Sequence, residues 1–398
     1  MRRGVRLGLL EPASDAVVPP CPAFGACGGC QLQEMPLDRQ RREKQRALEK
    51  TLGGLGAEVL PLTGAASGYR YRNKMELSFG NARYLSGEEL HGGVPREGRW
   101  LGMHAPGRFD KIVNIDGCTL MEPAMELVFR EARAAILASP FPVWDNRAFT
   151  GFWRYLRLRS GESGVHVSVY TAPGGEAEAA WIDAHLPSIG ASGWVWVETE
   201  STGDVARGRA RTMAGAQEVV THLAGVEHSL DADAFFQVNR EGAEVLLSVI
   251  AELAGTGRLL LDLYCGTGAI GLALARGFER VFGVERHEAA VEAARRTARS
   301  AGIEATFLVG DVERLLTELP EAPDVVVVDP PRNGLHANAL AWLTGCPAKK
   351  LVYVACKASS LARDGQALVQ AGWRCRSWRA VDLFPQTGHV EVVALFER

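Results

Sequence analysis

The chain has 398 residues, 47% of them hydrophobic and 23% charged, which supplies apolar side chains for more than one core and excludes a disordered or fibrous polypeptide. Its length favours two or three domains over one. A net charge of −3 excludes a global positive field, so a nucleic acid would have to be met by local basic patches.

No run of 18 uncharged apolar residues occurs, and no apolar stretch with a cleavage site follows Met1-Arg2-Arg3, so a cytoplasmic chain without membrane contact is expected. Nothing in the pattern demands an obligate protein partner. Eight cysteines in a reducing compartment point to metal ligation or catalysis rather than to disulfides.

In chain order, the first 20 residues lack periodicity, and Cys21, Cys27 and Cys30 follow among Gly25, Gly28 and Gly29 as a loop built to wrap something. The polar run from Leu37 to Leu52 predicts a solvated helix that ends before Gly53-Gly54. Between about Tyr69 and Glu227 short β-branched or alternating segments, MELSFG, KIVNI, GVHVSVY and GWVWVET, predict a β-rich region. From Leu259 strands and helices alternate, which predicts a parallel sheet covered by helices. The stretch from Trp378 to the end predicts two final strands joined by a Pro/Gly loop.

Within the alternating part, Asp262-Leu-Tyr264-Cys-Gly266-Thr-Gly268-Ala-Ile-Gly271 joins an apolar strand to a helix, where glycines let backbone approach a ligand. The loop satisfies G-x-G-x-x-G, and Glu285, about 20 residues on, is placed to bind ribose hydroxyls. A nicotinamide oxidoreductase therefore competes with other nucleotide enzymes on this loop alone. Asp329-Pro330-Pro331-Arg332 follows the strand DVVVV; a helix cap or turn is the plain reading of Asp329, but the ordered pair of motifs is similar to class I methyltransferases.

Cys356 follows the strand Leu351 to Ala355, at the end of the sheet that faces the ligand crevice. A thiolate there could add to carbon 6 of a pyrimidine and make carbon 5 nucleophilic. The methylated carbon would still carry a proton for a base to remove, and Glu391 is the candidate. By residue type alone, core packing for the cysteine and a solvated face for the glutamate stand beside these roles.

The ordered set Cys21-Pro-Ala-Phe-Gly-Ala-Cys27-Gly-Gly-Cys30, Tyr71-Arg-Asn-Lys74, Phe235-Phe-Gln237-Val-Asn239, the Asp262 loop, Asp329-Pro-Pro-Arg332, Cys356 with Leu361-Ala-Arg-Asp364, and Phe384-Pro-Gln-Thr-Gly-His-Val-Glu391 resembles the RNA uracil carbon-5 methyltransferases of the RumA and TrmA kind, over most of the chain. The resemblance implies Cys356 as covalent nucleophile, Glu391 as proton acceptor, and Gln237, Tyr264, Gly266, Gly268, Glu285, Asp311 and Asp329 around S-adenosylmethionine, with contact to the uracil instead as the alternative for Asp329, which the family places between cofactor and base. Ala355-Cys356-Lys357-Ala358 departs from the family's Ser-Cys-Asn-Pro, and Gly388 from its first His; Lys357 places a cation beside the thiol.

With Cys118, the three clustered cysteines supply four thiolates, enough for a [4Fe-4S] cluster or for zinc. The resemblance selects the cluster, and the five-residue first gap and fourth ligand differ from the three-residue gap of radical enzymes. It also implies 23S ribosomal RNA as partner, since the transfer-RNA branch generally lacks these cysteines. Only 20 residues precede Cys21, so the N-terminal β-barrel of RumA-like members is not expected.

Tyr69–Lys74 and Arg147–Arg159 interleave cations with aromatic rings, as stacking on single-stranded RNA requires, although a half-buried strand with snorkelling arginines gives the same pattern. Arg207, Arg209 and Arg211 form a weaker patch. The expected architecture is α/β: residues 1–66 a cluster-bearing segment with a helix, 67–228 a β-rich RNA-binding domain, and 229–398 a Rossmann-like class I methyltransferase domain. The expected reaction is methylation of a uridine at carbon 5. The same reaction on transfer RNA, and an RNA-binding protein of this fold without catalysis, remain as alternatives.

Overall fold

The computed structural model of the protein describes residues 13–203, 205–231, 233–312 and 322–398. In chain order the strands are β1 (Glu58–Gly64), β2 (Lys74–Ala82), β3 (Glu97–Ala105), β4 (Arg108–Asn114), β5 (Trp153–Gly161), β6 (Gly164–Thr171), β7 (Gly193–Glu198) and β8 (Arg209–Gly215). They continue with β9 (Glu218–Leu223), β10 (Val226–Asp231), β11 (Gly257–Leu263), β12 (Phe278–Glu285), β13 (Ala305–Val309), β14 (Val325–Val328), β15 (Lys350–Ala355), β16 (Arg374–Asp382) and β17 (Glu391–Glu397).

Eight strands form one sheet in the order β1-β16-β17-β15-β14-β11-β12-β13. From β13 to β15 the pairings are parallel, and β17 then inserts antiparallel between β15 and β16. Parallel strands need crossover connections, and the helices that make them cover both faces. Hence all four residues of β14, Val325–Val328, are buried. Leu246, Ile250 and Leu253 of the helix Arg240–Ala254 pack on one face. On the other lie Leu48 and Leu52, with Leu361 and Leu368 of the helix Ala358–Gln370.

The helix Leu37–Leu52 has its predicted bounds but is not a solvated one. Gln40, Lys44, Leu48 and Leu52 recur every four residues and bury one face. Its polar members escape the burial penalty because Lys44 Nζ donates to Asp382 Oδ1 at 2.6 Å and Gln40 is fully hydrogen-bonded. The next segment, β1, pairs in parallel with β16, so a strand that a boundary at residue 66 leaves with the first segment belongs to the sheet of the third.

The β-rich region is a second sheet in the order β4-β3-β2-β5-β6-β7-β8, antiparallel except for β6 with β7. The helices Pro123–Ala138 and Glu176–His185 cover one face, with Phe129, Trp153, Leu156 and Trp196 in the core. Its central strand β5 is buried along nearly its whole length.

That burial corrects the reading of Arg147–Arg159 as an RNA-stacking segment. Arg154, Arg157 and Arg159 are 2%, 7% and 1% exposed. Arg154 bonds the carbonyls of Ser201 and Gly203, Arg157 bonds Glu76, Asp233 and the Ala206 carbonyl, and Arg159 bonds the Ala234 carbonyl. Their guanidinium groups also lie over rings, Arg154 4.1 Å from Trp144 and Arg157 4.9 Å from Tyr170. Of its cations and rings only Arg147 and Phe149, in the turn before the strand, stay exposed.

Tyr69–Lys74 is likewise a seam more than a surface. The Tyr71 hydroxyl donates to the Pro385 carbonyl at 3.0 Å, Asn73 Nδ2 donates to the Gln237 carbonyl at 3.1 Å, and Arg70 pairs with Glu126. The first two of these bonds join the two halves of the chain. Among the described residues no helix is long and apolar enough to cross a membrane.

Candidate active site

The parallel strands all end at one edge of the eight-stranded sheet, and the residues just beyond their C-termini meet there. Tyr264 follows β11, Glu285 closes β12, Asp311 lies two residues past β13, Asp329 follows β14 and Cys356 follows β15. On the antiparallel side the last pair of β15 with β17 is Ala355 opposite Val392, so one further step brings Cys356 level with Glu391.

The β11 loop is shaped by what its backbone must do. Gly266 and Gly268 take φ of 54° and 77°, and a Cβ on Gly268 would stand 2.9 Å from Phe307 Cζ and 3.0 Å from Ala294 Cβ. Tyr264 also adopts a positive φ, 62°, an unusual conformation for an aromatic residue and one that marks functional loops. Glu285 fixes the turn: its Oε2 accepts from the Gly266 N–H at 3.2 Å and its Oε1 from the His287 N–H at 2.9 Å. Asp262 Oδ2 accepts from the Gly271 N–H at 2.8 Å, which ties strand to helix beneath the loop.

Gln237 enters from the other side. Asn239 caps the helix Arg240–Ala254 by accepting from the Gly242 N–H at 2.9 Å, while its Nδ2 donates to the Leu383 carbonyl at 3.0 Å. With Asn73 holding the carbonyls of Gln237 and Val238, this segment is pinned between the two sheets. Phe235, two residues earlier, is 74% exposed.

The electrostatics of the edge are strained in one direction. Burial pushes the Asp262 carboxyl up to about 8, against the lowering effect of the Gly271 N–H. Burial alone raises Asp329, a partly buried residue, to about 7. Glu391, 5% exposed, is pushed up to about 8 by burial and then by the Asp329 charge. The exposed Cys356 thiol is raised by desolvation, then by Glu391 and Asp329, and is lowered by Arg332. The Asp329 charge thus acts on Glu391, and both act on the Cys356 thiol, an arrangement of the kind found in sites that move protons.

Asp364, a residue for which the sequence reading gave no separate role, holds the turn that follows Arg332. Asp364 is fully buried, and its Oδ2 accepts from the Leu335 N–H and the Tyr353 hydroxyl, both at 2.8 Å. Ser360 Oγ donates to the Arg332 carbonyl at 3.0 Å. Its signal in the sequence is an aspartate on the buried face of an amphipathic helix.

Away from this edge, Cys21, Cys27, Cys30 and Cys118 line one cavity, together with Gln33, Arg72 and Met75. Burial is the first cause that raises the thiols of Cys27, Cys30 and Cys118, with Cys30 at about 11, and repulsion among the four adds to it. Arg72 opposes the rise at Cys27 and Cys118. Among the described residues no group of three or more His, Cys, Asp or Glu side chains is arranged to hold a metal ion. Cys265, Cys346 and Cys375 are buried core thiols.

A family model for the methyltransferase small domain matches residues 237–353, which span β11 to β15 and the segment bearing Gln237. The fold and the edge define an α/β methyltransferase of the kind that uses S-adenosylmethionine. An uncharacterized RNA methyltransferase of Caldanaerobacter subterraneus subsp. tengcongensis is 33% identical over 409 residues, covering 98% of this chain and 87% of its own length. Another, from Nitratidesulfovibrio vulgaris, is 34% identical over 411 residues, covering 98% and 84%. Among solved structures, the Pyrococcus abyssi tRNA (uracil-54, C5)-methyltransferase in complex with S-adenosyl-L-homocysteine superposes with a TM-score of 0.76 at 28% identity, over 93% of this chain and 86% of that one. The chain belongs to the RNA methyltransferase family.

Proposed function

We propose that the protein methylates carbon 5 of a uridine in RNA, with Cys356 as nucleophile and Glu391 as proton acceptor. The observation that carries the reading is the register of β15 and β17, which sets thiol and carboxyl side by side at the mouth of the β11 loop. The Cys356 thiolate adds to carbon 6 of the uracil and leaves an enolate whose carbon 5 attacks an electrophilic methyl group. S-adenosylmethionine, when bound, would supply that methyl on a sulfonium centre, whose bond to the methyl breaks with the electron pair leaving on sulfur as a neutral thioether, and Gln237, Tyr264, Gly266, Gly268, Glu285, Asp311 and Asp329 are the residues we assign to hold it. The buried carboxyls of Asp262 and Asp329 suit a cationic ligand, which would ease their ionisation. Glu391 then takes the proton from carbon 5, the electron pair re-forms the 5,6 double bond, and the carbon–sulfur bond breaks to release Cys356. Both faces of the ring are used, so the base must leave its stack to enter the cleft.

We assign the four-cysteine cavity to a [4Fe-4S] cluster in a structural role. Its donor set is entirely thiol, its neighbours are desolvated, and Arg72 supplies a counter-charge. Because four such cysteines accompany ribosomal substrates within the resembled family, 23S ribosomal RNA in the cytoplasm is the reading we favour. The likeness to a transfer-RNA enzyme favours the second reading, the same reaction on transfer RNA.

The test is incubation with methyl-labelled S-adenosylmethionine and unmodified 23S ribosomal RNA or transfer RNA, beside Cys356→Ala, followed by nucleoside identification. Label in 5-methyluridine from ribosomal RNA, absent with the variant, is the expected result. Label from transfer RNA alone would move the substrate, and none from either would end the catalytic reading. Iron and sulfide in an anaerobic preparation test the cluster, and zinc in their place would overturn it.

A further inference from the structure

The loop Leu383–Val390, which leads Glu391 into the cleft, is held by more than its own sheet. At its centre Gln386 is 2% exposed and takes a left-handed φ of 68°. Such a backbone persists only where its surroundings fix it. The N–H groups of Gln31 and Leu32, directly after Cys30, both donate to the Gln386 carbonyl, at 2.8 and 3.1 Å. The Gln386 N–H donates to Gln40 Oε1 and Gln386 Oε1 accepts from Gln40 Nε2, both at 2.9 Å. Gln386 Nε2 donates to the Gly68 carbonyl at 3.3 Å. Gln40 also reaches the carbonyls of Leu32 and Met35, at 3.1 and 2.8 Å. Beyond Gln386, Thr387 Oγ1 accepts from the His389 N–H at 3.1 Å, two residues before Glu391.

We infer that Gln386, clamped by Gln40, is a positioning residue for Glu391, and that the loop after Cys30 is the other jaw of the clamp. A rigid path of hydrogen bonds then runs from the cysteine-bearing loop to the proton acceptor, and loosening it displaces the carboxyl without touching the methyl-donor side of the cleft. The inference rests on the proposed role of Glu391.

Gln40→Leu removes the clamp. The expected result is a kcat lowered by roughly tenfold to a hundredfold, as for a small misplacement of a reacting group, with KM for RNA little changed. A Cys356–RNA adduct should persist on denaturing gels, as with Glu391→Gln. Gln40→Glu, which keeps the acceptor for the Gln386 N–H, should recover part of the rate. Gly68→Ala, whose Cβ would stand 2.9 Å from Gln386 Nε2, should give a weaker form of the defect and serves if Gln40→Leu does not fold. Carbon-13 NMR titration of Glu391 in the free protein decides the matter independently of the reaction. A pKa that falls toward the ordinary carboxylate range in the variants supports the clamp. An unchanged titration in folded protein overturns it, whereas failure of Glu391→Gln to trap RNA counts against the proposed function alone.

Discussion

The two sheets bury charge in opposite ways. In β5 the guanidinium groups of Arg154 and Arg157 lie inside the protein, but carbonyl or carboxylate oxygens meet them and aromatic rings flank them, so their charge is absorbed by the scaffold. At the C-terminal edge of the other sheet, Asp262, Asp329 and Glu391 are surrounded by few donors and by one another, and all three are pushed toward neutrality. Charge that has found its partners marks a framework; charge left short of them marks a place where a ligand or a proton is to arrive.

The sharpest break of that contrast is Cys356→Ala, which should lower turnover by at least about a thousandfold and leave the melting temperature unchanged, measured by methyl incorporation beside a thermal scan. The pH profile comes next. Glu391 rises to about 8 and Cys356 is also raised, so both carry their protons at pH 6. The reaction needs both ionised, so kcat/KM should climb most steeply below about 8, where both groups still hold protons, and go on climbing by roughly tenfold per unit past pH 9 because the Cys356 thiol is raised above its ordinary value. A flat profile from pH 6 to 9 would deny the coupling.

Arg157→Ala attacks the other side of the comparison. Its Glu76 and Asp233 partners reach solvent, which screens the pair, so a loss of roughly 2–3 kcal/mol in denaturant unfolding is expected. The salt dependence of RNA binding should not change; a slope reduced by about one would restore Arg157 to RNA contact. The smallest effect belongs to Glu391→Gln. A carboxyl raised from 4.5 to about 8 in the fold stabilises it fully below 4.5, and this is lost as the pH rises through 8. The variant should therefore melt a few degrees above wild type at pH 9 and not at pH 5.

Much of the strand-end edge proposed as the active site was legible as structure in the sequence because short-range rules govern it. A glycine turn after an apolar strand, an aspartate before Pro-Pro and a cysteine after LVYVA each declare a strand end, and strand ends of a parallel sheet converge. The β5 arginines misled for a related reason: alternation of cations and rings looks the same on a surface strand and on one covered from both sides, and only the tertiary neighbours at Ser201, Ala206 and Ala234 distinguish them. The helix Leu37–Leu52 carried the opposite disguise, its buried face being half polar. Gln40 with Gln386, and Lys44 with Asp382, are more than 300 residues apart, beyond the reach of periodicity or spacing.

The edge strand β1 has a consequence for how the protein is made. Its partner β16, where Glu58 lies opposite Ser377, emerges from the ribosome roughly three hundred residues later. Through most of synthesis, then, the first-made strand has nothing to pair with, and β16 would remain an open edge in any fragment that began after residue 64. The enzyme half of the chain becomes whole only when its beginning meets its end, so a truncation from the front should surface as aggregation on expression before it surfaces as lost cysteines.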